Sequence, residues 1–139
     1  MFVGTFEHSL DDKGRLVLPS TFRAHLADRG FVSQYERCLG LWTEDGFTDV
    51  ARRLTDKVRE GLASHDAVRA FAANASEVRP DSQGRIVVPQ RLREFAGLQR
   101  EVVVIGALDR IEIWDAARWG ELAGSADQSL VTAVSELGI

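Results

Sequence analysis

Residues 11–23 read DDKGRLVLPSTFR, and residues 81–93 read DSQGRIVVPQRLR. Aligned without gaps, six of the thirteen positions are identical: Asp11/Asp81, Gly14/Gly84, Arg15/Arg85, Val17/Val87, Pro19/Pro89 and Arg23/Arg93. Unrelated segments share roughly one at typical residue frequencies. Leu16/Ile86, Leu18/Val88 and Phe22/Leu92 keep apolar character. In a chain of 139 residues this duplication is the strongest constraint on the fold. Two halves of about 70 residues would each be marginal alone, so the prior favours intertwined halves around a shared core. Such a pseudo-symmetric object suits a repeated or symmetric target better than a single asymmetric catalytic pocket.

Local patterning gives each unit the same plan. Thr5 to Leu10 alternates apolar and polar residues, as a half-buried strand does. Residues 11–14 break the alternation with turn chemistry, in which Asp bonds backbone amides and Gly supplies positive φ. Arg15 to Leu18 is a short β-rich run, so the two strands are expected to form a hairpin. Pro19 can open a helix, with Phe22 and Leu26 on one face and Gly30 as its stop. Phe31-Val32 and Cys38 to Trp42 then form a strand pair. In the second unit, Ala72 to Val78 is the expected first strand and Arg85 to Val88 the return strand. Pro89 opens the helix there, with Leu92, Phe95 and Ala96 inward and Gly97 as the stop. Val102 to Ile105 and Ile111 to Trp114 close the plan.

Thr43 and Asp115 each follow or adjoin a Trp and suit a helix N-cap. The first of these helices is long, with Phe47, Val50, Ala51, Leu54 and Val58 at 3,4 spacing. A short helix over Ser64 to Phe71 leads to unit two. The second fades near Ala123-Gly124-Ser125. These readings divide the chain into a first unit with its long helix (1–60), a helical connector (61–76), a second unit (77–123) and a C-terminal tail (124–139) that is mobile or a docking arm. The two units share one core.

Several function classes find no support. Cys38 is the only cysteine, so no intrachain disulfide and no Cys-rich zinc site can form. It lies in an apolar run, where a core role is expected. His8, His25 and His65 show no metal-ligand spacing. No catalytic constellation recurs and no glycine pattern fits a phosphate loop, so the chain is read as a non-enzyme with no cofactor and no metal. No apolar run approaches the roughly 20 residues of a membrane span, and the first residues lack signal-peptide character. A cytoplasmic protein is expected.

The net charge of −4 argues against non-specific coating of nucleic acid but leaves room for a local basic surface. In residues 79–93, Arg79, Arg85, Arg91 and Arg93 face only Asp81, whereas residues 7–25 are charge-balanced. The second copy is the more basic. Asp11, Asp81, Gly14 and Gly84 are accounted for by turn chemistry, the acids also being placed to orient the arginines. A hairpin turn needs no guanidinium at its exit, however, and Arg15 and Arg85 offer a planar fork suited to phosphate and to the guanine edge. Lys13 and its counterpart Gln83 can reach phosphates or base edges from the turn tips. Arg23 and Arg93 fit either a solvated helix face or a nucleic-acid contact, and their matched positions favour the second.

The opening MFVGTFEHSLDDKGRLVLPSTFR, the second DSQGRIVVPQRLR and the strand Ile111-Glu112-Ile113-Trp114 before a Trp-bearing helix closely resemble the MraZ family over nearly the whole chain. The resemblance implies an α+β fold with a mainly β core. Its form would be a pseudo-twofold, double-ψ or swapped-hairpin AbrB-like β-barrel with flanking helices. It implies a sequence-specific DNA-binding transcriptional regulator, a repressor, acting on repeated promoter sites of the division and cell-wall gene cluster. Its partners would be double-stranded DNA with direct repeats and further copies of itself in a ring-like homo-oligomer, with no membrane and a nucleoid association. Arg15 and Arg85 correspond to the family's DNA-contacting arginines, and Asp11 and Asp81 to the motif acids. The competing expectation is a protein-interaction module of AbrB-like fold that does not bind DNA.

Overall fold

A computed structural model describes residues 1–139. Eight strands and five helices follow in the order β1 (Thr5–Ser9), β2 (Arg15–Val17), α1 (Ser20–Leu26), β3 (Gly30–Tyr35), β4 (Cys38–Trp42), α2 (Glu44–Arg59), α3 (His65–Asn74), β5 (Ser76–Val78), β6 (Arg85–Val87), α4 (Gln90–Phe95), β7 (Glu101–Gly106), β8 (Ile111–Asp115) and α5 (Ala116–Leu137). The fold is α+β. A six-stranded sheet runs β1-β7-β8-β4-β3-β5, and β2 and β6 form a separate two-stranded ribbon. Every pairing is antiparallel. The large sheet does not close, since β1 and β5 are its edges.

The repeat acts at the level of strand partners. β1 and β2 do not pair with each other, contrary to the hairpin expectation. β1 pairs with β7 of the second unit, β5 pairs with β3 of the first, and β2 pairs with β6 across the units. Alternation gives a strand its faces but not its neighbour. Turn 11–14 is nonetheless closed, by Gly14 N–H to Asp11 O at 3.0 Å and Asp11 N–H to Arg15 O at 3.1 Å. At two places sequence counterparts face one another directly: Leu16 opposite Ile86 in the ribbon and Gly40 opposite Glu112 between β4 and β8. A pseudo-twofold axis must pass through both. A single apolar cluster draws on both copies and includes Leu16, Leu18, Ile86 and Val88, each at most 1% exposed.

The helix starts agree with their sequence signals. Thr43 Oγ1 accepts from Gly46 N–H at 3.0 Å, and the Asp115 carboxylate accepts from Arg118 N–H. Gly97, at φ +64°, follows the end of α4 as expected. Other boundaries differ. The helix after Pro19 ends at Leu26 with Ala27 at φ 61°. Gly30 therefore does not stop it. It starts β3 where a Cβ would lie 3.0 Å from Leu41 Cδ1 and from Trp42 O, so close packing selects the glycine. Residues 72–74 belong to α3 and the strand is only Ser76–Val78, consistent with the helix propensity of alanine. The last helix does not fade at residues 123–125 but continues to Leu137. None of its residues is buried, which explains the weak periodicity of its sequence.

Candidate nucleic-acid interface

The β2–β6 ribbon is the place where the duplicated motif meets itself. Its register sets Arg15 opposite Val87, Leu16 opposite Ile86 and Val17 opposite Arg85. Side chains alternate across a strand, so Leu16 and Ile86 point inward, and they are buried. Arg15, Val17, Arg85 and Val87 consequently share the outer face. The two arginines occupy one diagonal of this face and the two valines the other. Residues two apart in a strand are separated by about 7 Å. The ribbon is lengthened at both ends by Leu18 N–H to Gly84 O at 3.0 Å and Val88 N–H to Gly14 O at 2.8 Å.

Each arginine is aimed by the acid four residues earlier. Asp11 Oδ1 accepts from the backbone N–H groups of Lys13 and Arg15 at 2.9 and 2.8 Å, while its Oδ2 accepts from Arg15 Nε. Asp81 repeats the arrangement with Gln83 N–H, Arg85 N–H and Arg85 Nε, all at 2.9 Å. The Arg15 and Arg85 backbone donors hold the two carboxyls below their ordinary range, and the arginine side chains add to this against partial desolvation. Binding through Nε fixes the guanidinium plane and leaves the terminal nitrogens free of this contact. Each acid thus closes its turn and holds the Nε of the arginine four residues later. Lys13 and Gln83 are exposed at the two turn tips, beside Arg15 and Arg85 respectively.

Arg23 and Arg93 are not brought to the outer face. They are half-buried and lie against the glycines of the opposite unit's turn. Arg23 donates to Leu18 O at 3.1 Å, and Arg93 Nε donates to Val88 O at 3.0 Å. A Cβ on Gly84 would stand 1.6 Å from Arg23 Nη1, and one on Gly14 would stand 2.8 Å from Arg93 Nε. Both glycines have positive φ, +77° and +75°, so turn geometry selects glycine, and an added Cβ would in addition displace the arginine lying against it. The helical arginines thereby brace the turns that carry Arg15 and Arg85.

Val17 and Val87 are the surface residues that sequence reasoning passed over. In sequence they stand out only as strand formers, yet they are 40% and 56% exposed. The signal available was their place two residues after each motif arginine. Elsewhere, the Cys38 thiol is buried, and that burial pushes its pKa up, which disfavours the nucleophilic thiolate. No group of three His, Cys, Asp or Glu side chains converges on a metal-sized space. No helix is long and apolar enough to cross a membrane.

Comparison with known proteins matches residues 1–67 and again residues 71–137 to a family described as "MraZ protein, putative antitoxin-like". The two matched segments reproduce the duplication. A protein named Transcriptional regulator MraZ from Kocuria rhizophila is 46% identical over 86% of this chain and 84% of its own length. One of the same name from Halothermothrix orenii is 37% identical over the whole of both chains, and one from Nocardioides sp. is 47% identical over 90% of this chain and 88% of its own. The chain belongs to the MraZ family.

Proposed function

We propose that this transcriptional regulator reads double-stranded DNA with the outer face of the β2–β6 ribbon. The carrying observation is the pairing of Arg15 and Arg85 on one exposed face, each oriented by its own aspartate. A two-stranded β-ribbon fits the major groove, where a bidentate arginine contact to guanine O6 and N7 is the commonest specific contact. The two arginines lie on a diagonal of the ribbon, where neighbours are about 7–8 Å apart, or about two base-pair steps of 3.4 Å. Lys13 and Gln83 supply turn-tip contacts to phosphate or base edges. Arg23 and Arg93 contribute to DNA binding indirectly, through the turns they brace. The cross-unit pairing of β1, β2, β5 and β6 supports the AbrB-like swapped-hairpin reading of the core.

An acidic chain with two arginines per ribbon binds weakly alone. Several ribbons at fixed spacing multiply affinity through effective concentration, so the natural target is a set of direct repeats in the promoter of the division and cell-wall gene cluster. A ring-like homo-oligomer in the cytoplasm, bound at the nucleoid, provides that spacing. Helix α5 supports self-assembly because Leu130, Val131, Val134 and Leu137 are exposed along its second half.

Arg15→Ala and Arg85→Ala test the reading in a gel-shift on DNA from upstream of this chain's own coding sequence. A bidentate arginine–guanine contact is worth about 1–3 kcal/mol, so each variant should bind at least about fivefold more weakly while unfolding like the parent. Contacts to phosphate rather than bases would instead appear as a shallower salt dependence. Unchanged binding by the folded double variant refutes the proposal and returns the arginines to a protein-facing role.

A further inference from the structure

Strand propensity alone does not require valine at the exposed positions of the ribbon. Leu16 and Ile86 already fill the inner side, and threonine suits a strand as well while solvating its outer face. Yet Val17 and Val87 occur at matched positions of both copies, 40% and 56% exposed. Each faces an arginine directly across the ribbon, Val17 opposite Arg85 and Val87 opposite Arg15. Directly opposed residues have Cβ atoms about 4.5–5.5 Å apart. Valine also has a restricted χ1, so its methyl groups form a rigid apolar surface between two oriented guanidiniums. In the major groove the one base-edge group that offers no hydrogen bond is the 5-methyl of thymine, which apolar side chains recognise.

Resting on the DNA-reading role of the ribbon, we propose that Val17 and Val87 are specificity-determining residues that contact thymine 5-methyl groups beside the bases read by Arg85 and Arg15. The site would then place thymines within about two base pairs of the arginine-read guanines, at one position for each half of the ribbon.

The test compares two duplexes of one sequence, the DNA upstream of this chain's coding sequence, made with thymidine or with deoxyuridine throughout. The substitution removes every 5-methyl and keeps every hydrogen-bonding group. Burying one methyl is worth about a fourfold change in affinity, so the unaltered protein should prefer thymidine DNA by about fourfold for one contact and by more for two. The Val17→Ala/Val87→Ala variant should bind thymidine DNA more weakly and discriminate less than about twofold. Val17→Thr/Val87→Thr keeps the β-branch should the alanine variant fail to fold; one methyl of each valine becomes a hydroxyl, so its preference should fall measurably below that of the unaltered protein. Equal binding of both duplexes by the unaltered protein, or a full preference retained by the valine variants, overturns the inference while leaving the arginine reading intact. Failure to bind either duplex overturns the ribbon's DNA role itself.

Discussion

Gly84→Ala offers the sharpest test of how the two units hold one another, because its consequence depends on a residue of the opposite copy. Gly84 sits at φ +77°, where a Cβ costs about 1 kcal/mol or somewhat more. The added Cβ would also lie 1.6 Å from Arg23 Nη1 and 2.5 Å from its Cζ. Arg23 must swing aside and abandon its 3.1 Å bond to Leu18 O. A hydrogen bond from a charged donor contributes about 1.5–3 kcal/mol net. Gly84→Ala should therefore destabilise by about 3 kcal/mol. Arg23→Ala alone should lose the bond, about 2 kcal/mol. In the double variant that bond is lost only once, so the sum falls near 3 rather than 5 kcal/mol, a coupling of about 2 kcal/mol. Equilibrium urea unfolding of the four proteins measures it. Additivity within about 0.5 kcal/mol would refute the bracing contact. The mirror cycle, Gly14→Ala with Arg93→Ala, should couple less, since the closest approach there is 2.8 Å.

Two further outcomes follow from the geometry. If the chain assembles through α5 as proposed, deleting residues 124–139 should lower the sedimentation coefficient by more than the lost mass accounts for and move the unfolding midpoint little, because no residue of α5 is buried; a decrease no larger than the lost mass explains would place the self-contact elsewhere. Asp11 and Asp81 have lowered pKa values, so their ionised form favours the folded turns. Their stabilisation is complete above the ordinary value of 3.8 and is lost as pH falls through the still lower folded values. NMR titration of the two carboxyls should give midpoints below 3.8, with the ribbon's amide shifts unchanged between about pH 8 and 5; midpoints at 3.8 or higher would mean the turns are not latched in solution.

Much of this arrangement is legible in the residues, and the parts that are not share a cause. Turn chemistry at Asp11 and Gly14, the caps at Thr43 and Asp115 and the strands on either side of residues 35–38 are local decisions, made within a few residues, and sequence reasoning reaches them. Strand partners are not local. Nothing in Thr5–Ser9 distinguishes β2 from β7 as a neighbour, because either would bury the same face. The roles of Arg23 and Arg93 were hidden for the same reason. Their contacts are with glycines about 60 and 80 positions away, and the matched pair looks identical whether it faces DNA or a turn. The length of α5 was obscured by Gly120 and Gly124 and by the absence of a buried face.

Where the pseudo-twofold holds and where it breaks bears on how polarity arises. On the ribbon's outer face it is nearly kept, since Arg15 and Val17 are matched by Arg85 and Val87. A face with that symmetry, turned by 180°, offers a DNA site almost the same donors and methyl groups. Only the turn tips differ, Lys13 against Gln83 and Asp12 against Ser82. Away from the ribbon the copies diverge strongly. Gly40 leaves room for the Trp42 ring, whereas its counterpart Glu112 accepts from Trp114 Nε1 at 2.9 Å. The first unit's helix α2 is covered by α3, with Phe47 stacked on Phe71 at 5.1 Å. The second unit ends instead in α5, with no helix laid over it. A near-symmetric reading face joined to an asymmetric body cannot easily tell one orientation of a single site from the other, but copies joined head to tail through the body all face the same way. On the proposed reading, the direction of a direct repeat is therefore set mainly by assembly, and the ribbon contributes base identity.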